Sequence, residues 1–265
     1  MKKILVLGIV VLALCFAGCG DGAGDGGGDG LGSGGTISTP PSSPAGAPAG
    51  VYVPTDGADA GKLIIFAPAY TINPDTGAVI TATGTDTVEA NIKAVGVSTI
   101  VSTTGTISGN MLAIVIPEPA SGFLKTAEEY FGYNLSSPPE NFTEGKNIKI
   151  GGLNINPSSG VMALYDNPVF TKIQYDGDDF WDIFSDGYGY LYSEGTVTIL
   201  YSGTVVKSGF TYTMNVDIKL VKGWNCFMLV EKKTGPTTGT VTYISKAPPA
   251  GAKWVLKSKS LGMWM

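Results

Sequence analysis

The sequence contains no histidine and no arginine among its 265 residues. Because histidine is the commonest general base and metal ligand, its absence excludes catalytic triads of the Ser-His type and histidine-bound metal sites. Without arginine, the chain lacks the planar guanidinium group that binds phosphates through two parallel hydrogen bonds. All 17 basic residues are therefore lysines, and 22 acids outnumber them. This balance predicts no nucleic-acid partner, and it makes an enzyme the less favoured class of protein.

Cysteine is also scarce, since Cys15, Cys19 and Cys226 are the only three. Cys15 lies in an apolar N-terminal segment and Cys19 directly follows that segment, so only Cys226 remains for a folded domain. No intramolecular disulfide is therefore expected. Cys226 begins the apolar run Cys226–Val230, which favours a buried and inert thiol over a reactive one.

The N-terminus begins with Lys2 and Lys3, followed by an apolar stretch over residues 4–17. This stretch is shorter than the roughly 20 apolar residues that a membrane-spanning helix needs. It ends in Phe16-Ala17-Gly18-Cys19, which resembles the lipobox of bacterial lipoproteins, with Phe16 where leucine is commonest. The resemblance implies that residues 1–18 are a cleaved signal peptide and that Cys19 is the lipidated first residue. The alternative is an ordinary secretory signal with a chance cysteine.

Lipidation of Cys19 would make the lipid bilayer the first partner of the protein. One acyl chain anchors weakly, whereas the two or three chains of the lipoprotein pathway, which include palmitate, anchor stably. Gly20 follows the lipidated position, where inner-membrane retention usually has aspartate. We therefore expect a location in the cell envelope, at the outer membrane or cell surface if the cell has two membranes.

Residues 19–50 are predicted to be a flexible tether. Ten glycines occur between residues 20 and 35, and residues 36–50 are mostly Thr, Ser, Pro, Gly and Ala. Such a composition cannot bury a core. The Gly-Asp pattern is also compatible with calcium-binding glycine-rich repeats, but the large apolar residue that those repeats need at each turn is missing apart from Leu31.

From residue 51 onward, short apolar runs alternate with turn residues, which predicts an all-β fold. The clearest run places Met214, Val216, Ile218 and Leu220 on one face of a strand and polar residues on the other. We expect an antiparallel β-sandwich in two tandem modules, residues 51–142 and 143–265. Strands are predicted at Lys62–Ile72, Ala78–Thr83, Val97–Val101, Met111–Ile116, Asn147–Ile155, Val161–Tyr165, Gly187–Tyr192, Thr196–Tyr201, Phe210–Val221, Asn225–Lys232, Thr238–Ile244 and Lys253–Leu256.

One short helix is predicted at Thr126–Phe131. Thr126 and Glu129 have the spacing of a capping box, in which each side chain accepts a hydrogen bond from the other residue's free backbone N–H. No other stretch has a helical pattern.

The C-terminal half carries three segments that together resemble a family. These segments are Tyr188–Val197, Asn215–Asn225 with its Lys-Gly-Trp-Asn turn, and Pro249–Trp254. They are similar to uncharacterised all-β envelope lipoproteins of several bacterial phyla. The resemblance implies a fold and a location, but it implies no activity and no catalytic residues.

The tentative binding surface lies between Tyr175 and Tyr192, where aromatic residues alternate with acids. Aromatic rings beside carboxylates are typical of sites for sugars or peptides. Tyr188, Tyr190 and Tyr192 share one face of a strand and are expected to pack, which leaves a preceding loop exposed. The candidate residues on that loop are Trp181, Phe180, Phe184, Asp178, Asp179 and Asp182.

No metal or other cofactor is predicted. Asp176, Asp178 and Asp179 offer oxygens, but Phe180 and Trp181 occupy positions where a calcium loop needs further ligands. These acids are therefore expected to form a solvated loop. Trp224, in the turn Gly223-Trp224-Asn225, is expected to pack over a sheet end, with a ligand platform as the alternative. Trp254 is expected to pack in the same way.

We therefore expect an envelope-anchored lipoprotein with a non-catalytic binding or structural role, and with a glycan or protein as its ligand. One alternative is a secreted hydrolase that uses carboxylates to cleave glycans. The other alternative is a subunit of a surface assembly that contributes an edge strand to a neighbour.

Replacing Cys19 by Ala should release the protein from membranes or stop it at the uncleaved precursor, because alanine has no thiol to accept the lipid. Membrane fractionation of cells that express the full-length chain measures this. An alanine variant that is processed normally and remains as firmly bound as the wild type would contradict lipid anchoring.

Overall fold

The computed structural model describes residues 48–93, 101–134, 142–175, 178–183, 186–207, 210–235 and 237–258. The predicted signal peptide and Cys19 lie outside the described residues, as do residues 20–47 of the predicted tether. The tether was predicted to reach residue 50, but Pro48–Gly50 form a 3-10 helix in which Ala49 is buried. The indole N–H of Trp254 donates a hydrogen bond of 3.1 Å to the Ala49 carbonyl, which holds this entry segment on the folded domain.

The described chain is almost entirely β-structure, with one α-helix, α1, at Ala127–Asn134 and a second 3-10 helix at Ser121–Phe123. The strands are β1 (Val51–Tyr52), β2 (Leu63–Ile72), β3 (Val79–Thr81), β4 (Thr85–Lys93), β5 (Val101–Ser108), β6 (Met111–Ile116), β7 (Lys125–Thr126), β8 (Phe142–Glu144), β9 (Lys149–Pro157), β10 (Gly160–Tyr165), β11 (Phe170–Tyr175), β12 (Asp178–Ile183), β13 (Gly187–Ser193), β14 (Val197–Lys207), β15 (Phe210–Leu220), β16 (Gly223–Gly235), β17 (Thr238–Ser245) and β18 (Lys253–Ser258). The all-β prediction is therefore confirmed.

Eight strands close into a barrel in the order β9-β4-β5-β6-β2-β18-β10-β13, and β13 pairs back onto β9. All neighbours are antiparallel except β2 and β18, which are parallel. The predicted sandwich was wrong, because a strand that alternates apolar and polar residues looks the same in a sandwich and in a closed sheet. What decides between them is long-range pairing, such as that of residues 88–93 with residues 152–157.

The barrel closes through a fork in the sheet. β9 and β10 form a hairpin and pair directly at Ile155 and Met162. Farther from the hairpin turn they separate and β13 enters between them, pairing with β10 at Leu164 and with β9 at Gly152. A void of about the size of one water molecule lies at this fork, lined by side chains of the three strands and by Trp254.

β13 also begins an outer sheet that leaves the barrel in the order β13-β16-β17-β15-β14-β8. β15 and β17 are parallel, and the other pairs are antiparallel. β11 and β12 form a separate two-stranded hairpin. Strands from both sides of the predicted module boundary at residue 142 belong to one continuous sheet and share the core of the barrel.

Two hydrophobic cores meet at β13. The first fills the barrel and includes Leu112, Ile114, Tyr190 and Trp254. The second lies between the outer sheet, α1 and the wall of the barrel, and it includes Phe131. All seven residues of β13 are buried, because one face of the strand contacts each core.

The capping box of α1 is confirmed. The Glu129 carboxylate accepts hydrogen bonds from the backbone N–H and the hydroxyl of Thr126, and the Glu129 N–H donates to the Thr126 hydroxyl. These hydrogen bonds lower the pKa of Glu129, chiefly through the Thr126 backbone N–H. No helix in the described part of the chain is long and apolar enough to span a membrane.

Replacing Val216 by Asp should destabilise the protein by several kcal/mol, because the substitution buries an unpaired charge. Val216 is 2% exposed and packs in the second core, as its alternation with Met214 and Ile218 predicted. Thr213→Asp is the matched control, since Thr213 is exposed on the opposite face of β15. Denaturant unfolding of both variants measures the difference, and equal losses of stability would contradict the assignment of the two faces.

Candidate functional site

Five of the six residues of the predicted binding surface lie on β12, where a loop was predicted. Asp178 pairs with Tyr175, Phe180 with Ile173, and Asp182 with Thr171 in the β11–β12 hairpin. Asp178, Asp179 and Asp182 therefore lie on a strand where the sequence analysis expected a loop. Asp176 lies outside the described residues, and the solvation of these acids stays a prediction.

Asp179 and Trp181 lie on the same strand, opposite Gln174 and Lys172. Phe184 lies outside the described residues, and the side chains of the other candidates lie outside the described part of the protein. Their role in binding therefore stays a prediction.

The three tyrosines of β13 pack inward, as their alternation predicted. Tyr188, Tyr190 and Tyr192 are each less than 7% exposed and belong to the barrel core. The Tyr190 ring stacks on Trp254 with a centroid distance of 6.4 Å. Tyr190 also hydrogen-bonds Cys226, and burial raises the pKa of the Cys226 thiol to about 12. Cys226 is half-buried, and its raised pKa disfavours the reactive thiolate form.

A cluster of functional groups lies instead at the end of the barrel where β6 and β13 finish and where β16 begins. It consists of Trp224, Tyr192 and Glu118, and we call it the Trp224 cluster. Trp224 and Tyr192 are a directly opposed pair on β16 and β13. Glu118 follows β6, between Pro117 and Pro119, and it is exposed. The three residues are distant in sequence. The pairing of β16 with β13 places Trp224 beside Tyr192, and the fold of the barrel brings the segment after β6 to the same end.

Trp224 stands on a tightly held turn. Gly223 has a φ of +99°, a backbone conformation that residues other than glycine rarely adopt. The Asn225 amide oxygen accepts a hydrogen bond from the Val221 N–H at 2.9 Å, and its amide nitrogen donates to the carbonyls of Val221 and Gly223, both at 2.8 Å. Asn225 therefore ties both ends of the turn together and holds the backbone beside the Trp224 ring.

The Trp224 and Tyr192 rings meet edge to face, with centroids 5.4 Å apart and an interplanar angle of 73°. Such a pair prefers this geometry because the positive ring edge contacts the negative ring face. Burial raises the pKa of Tyr192, and the negative charges of Glu118 and Glu194 raise it further. The phenol therefore stays protonated and donates its hydrogen bond to Glu118.

The Trp224 indole has one unsatisfied group. Its Nε1 is buried and has no hydrogen-bond partner in the part of the chain that the structure describes. A buried donor without an acceptor costs about 1–3 kcal/mol. Trp224 as a whole residue is half-buried and packs against the barrel core.

The cluster offers groups for binding. A partly exposed indole provides an apolar face, and the exposed Glu118 carboxylate provides an acceptor whose position Tyr192 supports. Among the described residues, no group of three or more acid or cysteine side chains could hold a metal ion. Trp254, by contrast, is buried in the barrel core and packs as the sequence predicted.

Comparison of the chain with protein-family models, with curated proteins and with solved structures gives no match. The candidate site is therefore argued from its own geometry.

Replacing Asn225 by Ala should destabilise the protein by about 1–2 kcal/mol, because three hydrogen bonds across the turn are lost. Asn215→Ala is the matched control on β15, the preceding strand in the chain, where one exposed hydrogen bond to Ser202 is lost. Equilibrium unfolding in urea measures both variants. If Asn225→Ala were no less stable than Asn215→Ala, the turn would not depend on the Asn225 side chain.

Proposed function

We propose that this protein is an envelope lipoprotein, anchored through Cys19, whose barrel binds envelope glycan at the Trp224 cluster. The observation that carries the proposal is a partly exposed indole, supported by an asparagine-tied turn, that packs on a tyrosine hydrogen-bonded to an exposed carboxylate. The lipobox-like segment before Cys19 and the glycine-rich tether support the anchored location.

The filled interior supports recognition at the barrel end and not inside the barrel. Small barrels bind ligands internally only when their inward side chains leave a cavity. Here Leu63, Ile65, Leu112 and Ile114 are at most 1% exposed and fill the barrel core. The void at the strand fork holds about one water molecule, which is far smaller than a sugar ring.

Glycan chemistry fits the groups of the Trp224 cluster. A sugar ring has an apolar face of C–H groups that stacks on an indole, and its hydroxyls donate to carboxylates. Glu118 is exposed and accepts from Tyr192 on one side, which leaves further lone pairs for ligand hydroxyls.

Co-sedimentation of the full mature chain with purified peptidoglycan sacculi tests the proposal. Glu118→Gln should weaken retention about tenfold, because it removes a charged acceptor for sugar hydroxyls. Trp224→Ala should weaken retention at least as much. Glu89→Gln is the matched control for the acid, since Glu89 is exposed on β4, outside the Trp224 cluster.

The competing sequence-based site is tested in the same assay with Trp181→Ala. Loss of retention in Trp181→Ala with normal binding by Glu118→Gln would move the site to the β11–β12 hairpin and overturn the proposal. Absence of wild-type binding to sacculi would also overturn it. If Trp224→Ala failed to fold, Glu118→Gln would decide, because glutamine preserves a hydrogen bond to Tyr192.

A further inference from the structure

The outer sheet ends in a strand that is paired on only part of its outer side. β14 pairs with β15 along its whole length, from Val197 to Lys207. On its other side, β8 pairs only with Thr198 and Ile199, and the register shifts between them. In the part of the chain that the structure describes, no strand pairs with residues 200–207 on this side. Such a row of backbone N–H and C=O groups is a template for another strand.

The irregularity at β8 marks where the intramolecular pairing stops. Thr198 faces Glu144 and Ile199 faces Phe142, so one residue of β8 is unpaired, as in a bulge. Farther back along the chain, the sequence before β8 contains Pro138 and Pro139. Proline has no backbone N–H to donate to a neighbouring strand.

The side chains of this edge do not protect it from association. Leu200 is 55% exposed and Val206 is 64% exposed, which makes them two of the large apolar residues on the surface. Ser202 and Thr204 are exposed between them. Natural edge strands are commonly blocked by inward-pointing charges, proline or a covering element. Between residues 200 and 206, the sequence of β14 has no charge and no proline.

We propose that two copies of this chain associate by antiparallel pairing of β14 with β14 around a two-fold axis at Gly203. A two-fold axis perpendicular to the sheet keeps the exposed face of both copies on the same side, so exposed residues must oppose exposed residues. This condition is met only when a residue lies directly opposite the same residue of the other copy at the axis. Of the registers of this kind, the one centred on Gly203 pairs the whole stretch from Leu200 to Val206.

The pattern of β14 is self-complementary in this register. On the exposed face, Leu200 of one copy lies opposite Val206 of the other, and Ser202 lies opposite Thr204. On the inner face, Tyr201 lies opposite Val205, which is buried in the second core. Apolar side chains therefore meet apolar side chains and hydroxyls meet hydroxyls, and cross-strand pairs of both kinds are favourable.

Glycine at the centre has a packing reason. A Cβ atom on Gly203 would approach the hydroxyl of Tyr201, two residues earlier, to within 2.3 Å. The Tyr201 ring therefore lies over the glycine on the inner face. With two glycines opposed at the axis, the tyrosines of both copies would cover the gap and extend the second core across the junction.

Two double variants test both the association and its register. Ser202→Glu with Thr204→Lys places glutamate opposite lysine at both symmetric pairs. Ser202→Glu with Thr204→Glu places glutamate opposite glutamate. If residue 202 lay at the axis, the glutamates of the two copies in the Ser202→Glu with Thr204→Lys variant would face each other. If residue 204 lay at the axis, its lysines would face each other. Both variants change the same exposed positions, so they are matched for effects on folding.

Sedimentation velocity of the full-length lipidated chain in non-ionic detergent measures the dimer. We expect the wild type and the glutamate–lysine variant to dimerise, and the glutamate–glutamate variant to dissociate at least tenfold more readily at low salt, because like charges directly opposite repel. A wild type that stays monomeric up to about 100 μM would overturn the proposal. Equal behaviour of the two variants, or dissociation of the glutamate–lysine variant alone, would also overturn it. These readouts are independent of glycan retention.

Discussion

The architecture depends on one strand, β13, which has no face in contact with solvent. Its tyrosines fill the barrel, and its other face contacts the outer sheet. Gly189 lies opposite Phe227, and a Cβ atom at Gly189 would come within 2.4 Å of that ring. The two faces of β13 therefore satisfy two different requirements. The tyrosines provide volume for a closed core, while Gly189 lets the Phe227 ring approach the backbone beside Leu191, which packs in the second core.

Local periodicity predicted those elements whose stability depends on neighbouring residues. The alternation of β15 and the Thr126–Glu129 capping box are confirmed, because both patterns are satisfied within a few residues of chain. β4 and β5 were not predicted, since they carry few large apolar side chains. Gly105 of β5 lies where a Cβ atom would approach Ile114 to within 2.6 Å. A closed barrel needs small residues where its side chains crowd, and such residues weaken the sequence signal for a strand. Closure of the barrel depends on pairings such as the parallel pair β2–β18, which a hairpin pattern in the sequence cannot predict.

The candidate site was hard to predict because it also depends on contacts between residues that are distant in sequence. The sequence favoured the segment around Trp181 because aromatic and acidic residues are dense there. The Trp224 cluster instead combines residues from three separate segments, and its strongest local signal was the turn Gly223-Trp224-Asn225. That turn is compatible with a packing tryptophan and with a platform. The edge-to-face contact with Tyr192 and the packing of Trp224 against the barrel core agree with the packing prediction. The exposed Glu118 carboxylate beside this pair is the feature on which the proposed platform depends. None of these three features can be read from the spacing of residues.

Lipid anchoring would lower the affinity that the proposed pairing of β14 and the proposed binding of glycan each require. If residues 20–47 behave as a flexible coil, they place the barrel about 30 Å from the membrane on average and at most roughly 95 Å away. The 3-10 helix at Pro48–Gly50, held by Trp254, would be the fixed end of that tether. Pairing of a few edge residues is weak between molecules that diffuse freely. Two copies confined to one membrane by short tethers meet at a much higher effective concentration, so weak pairing through β14 becomes sufficient. A dimer would then present two Trp224 clusters to one polymer, and glycan affinity would rise by avidity without any new contact.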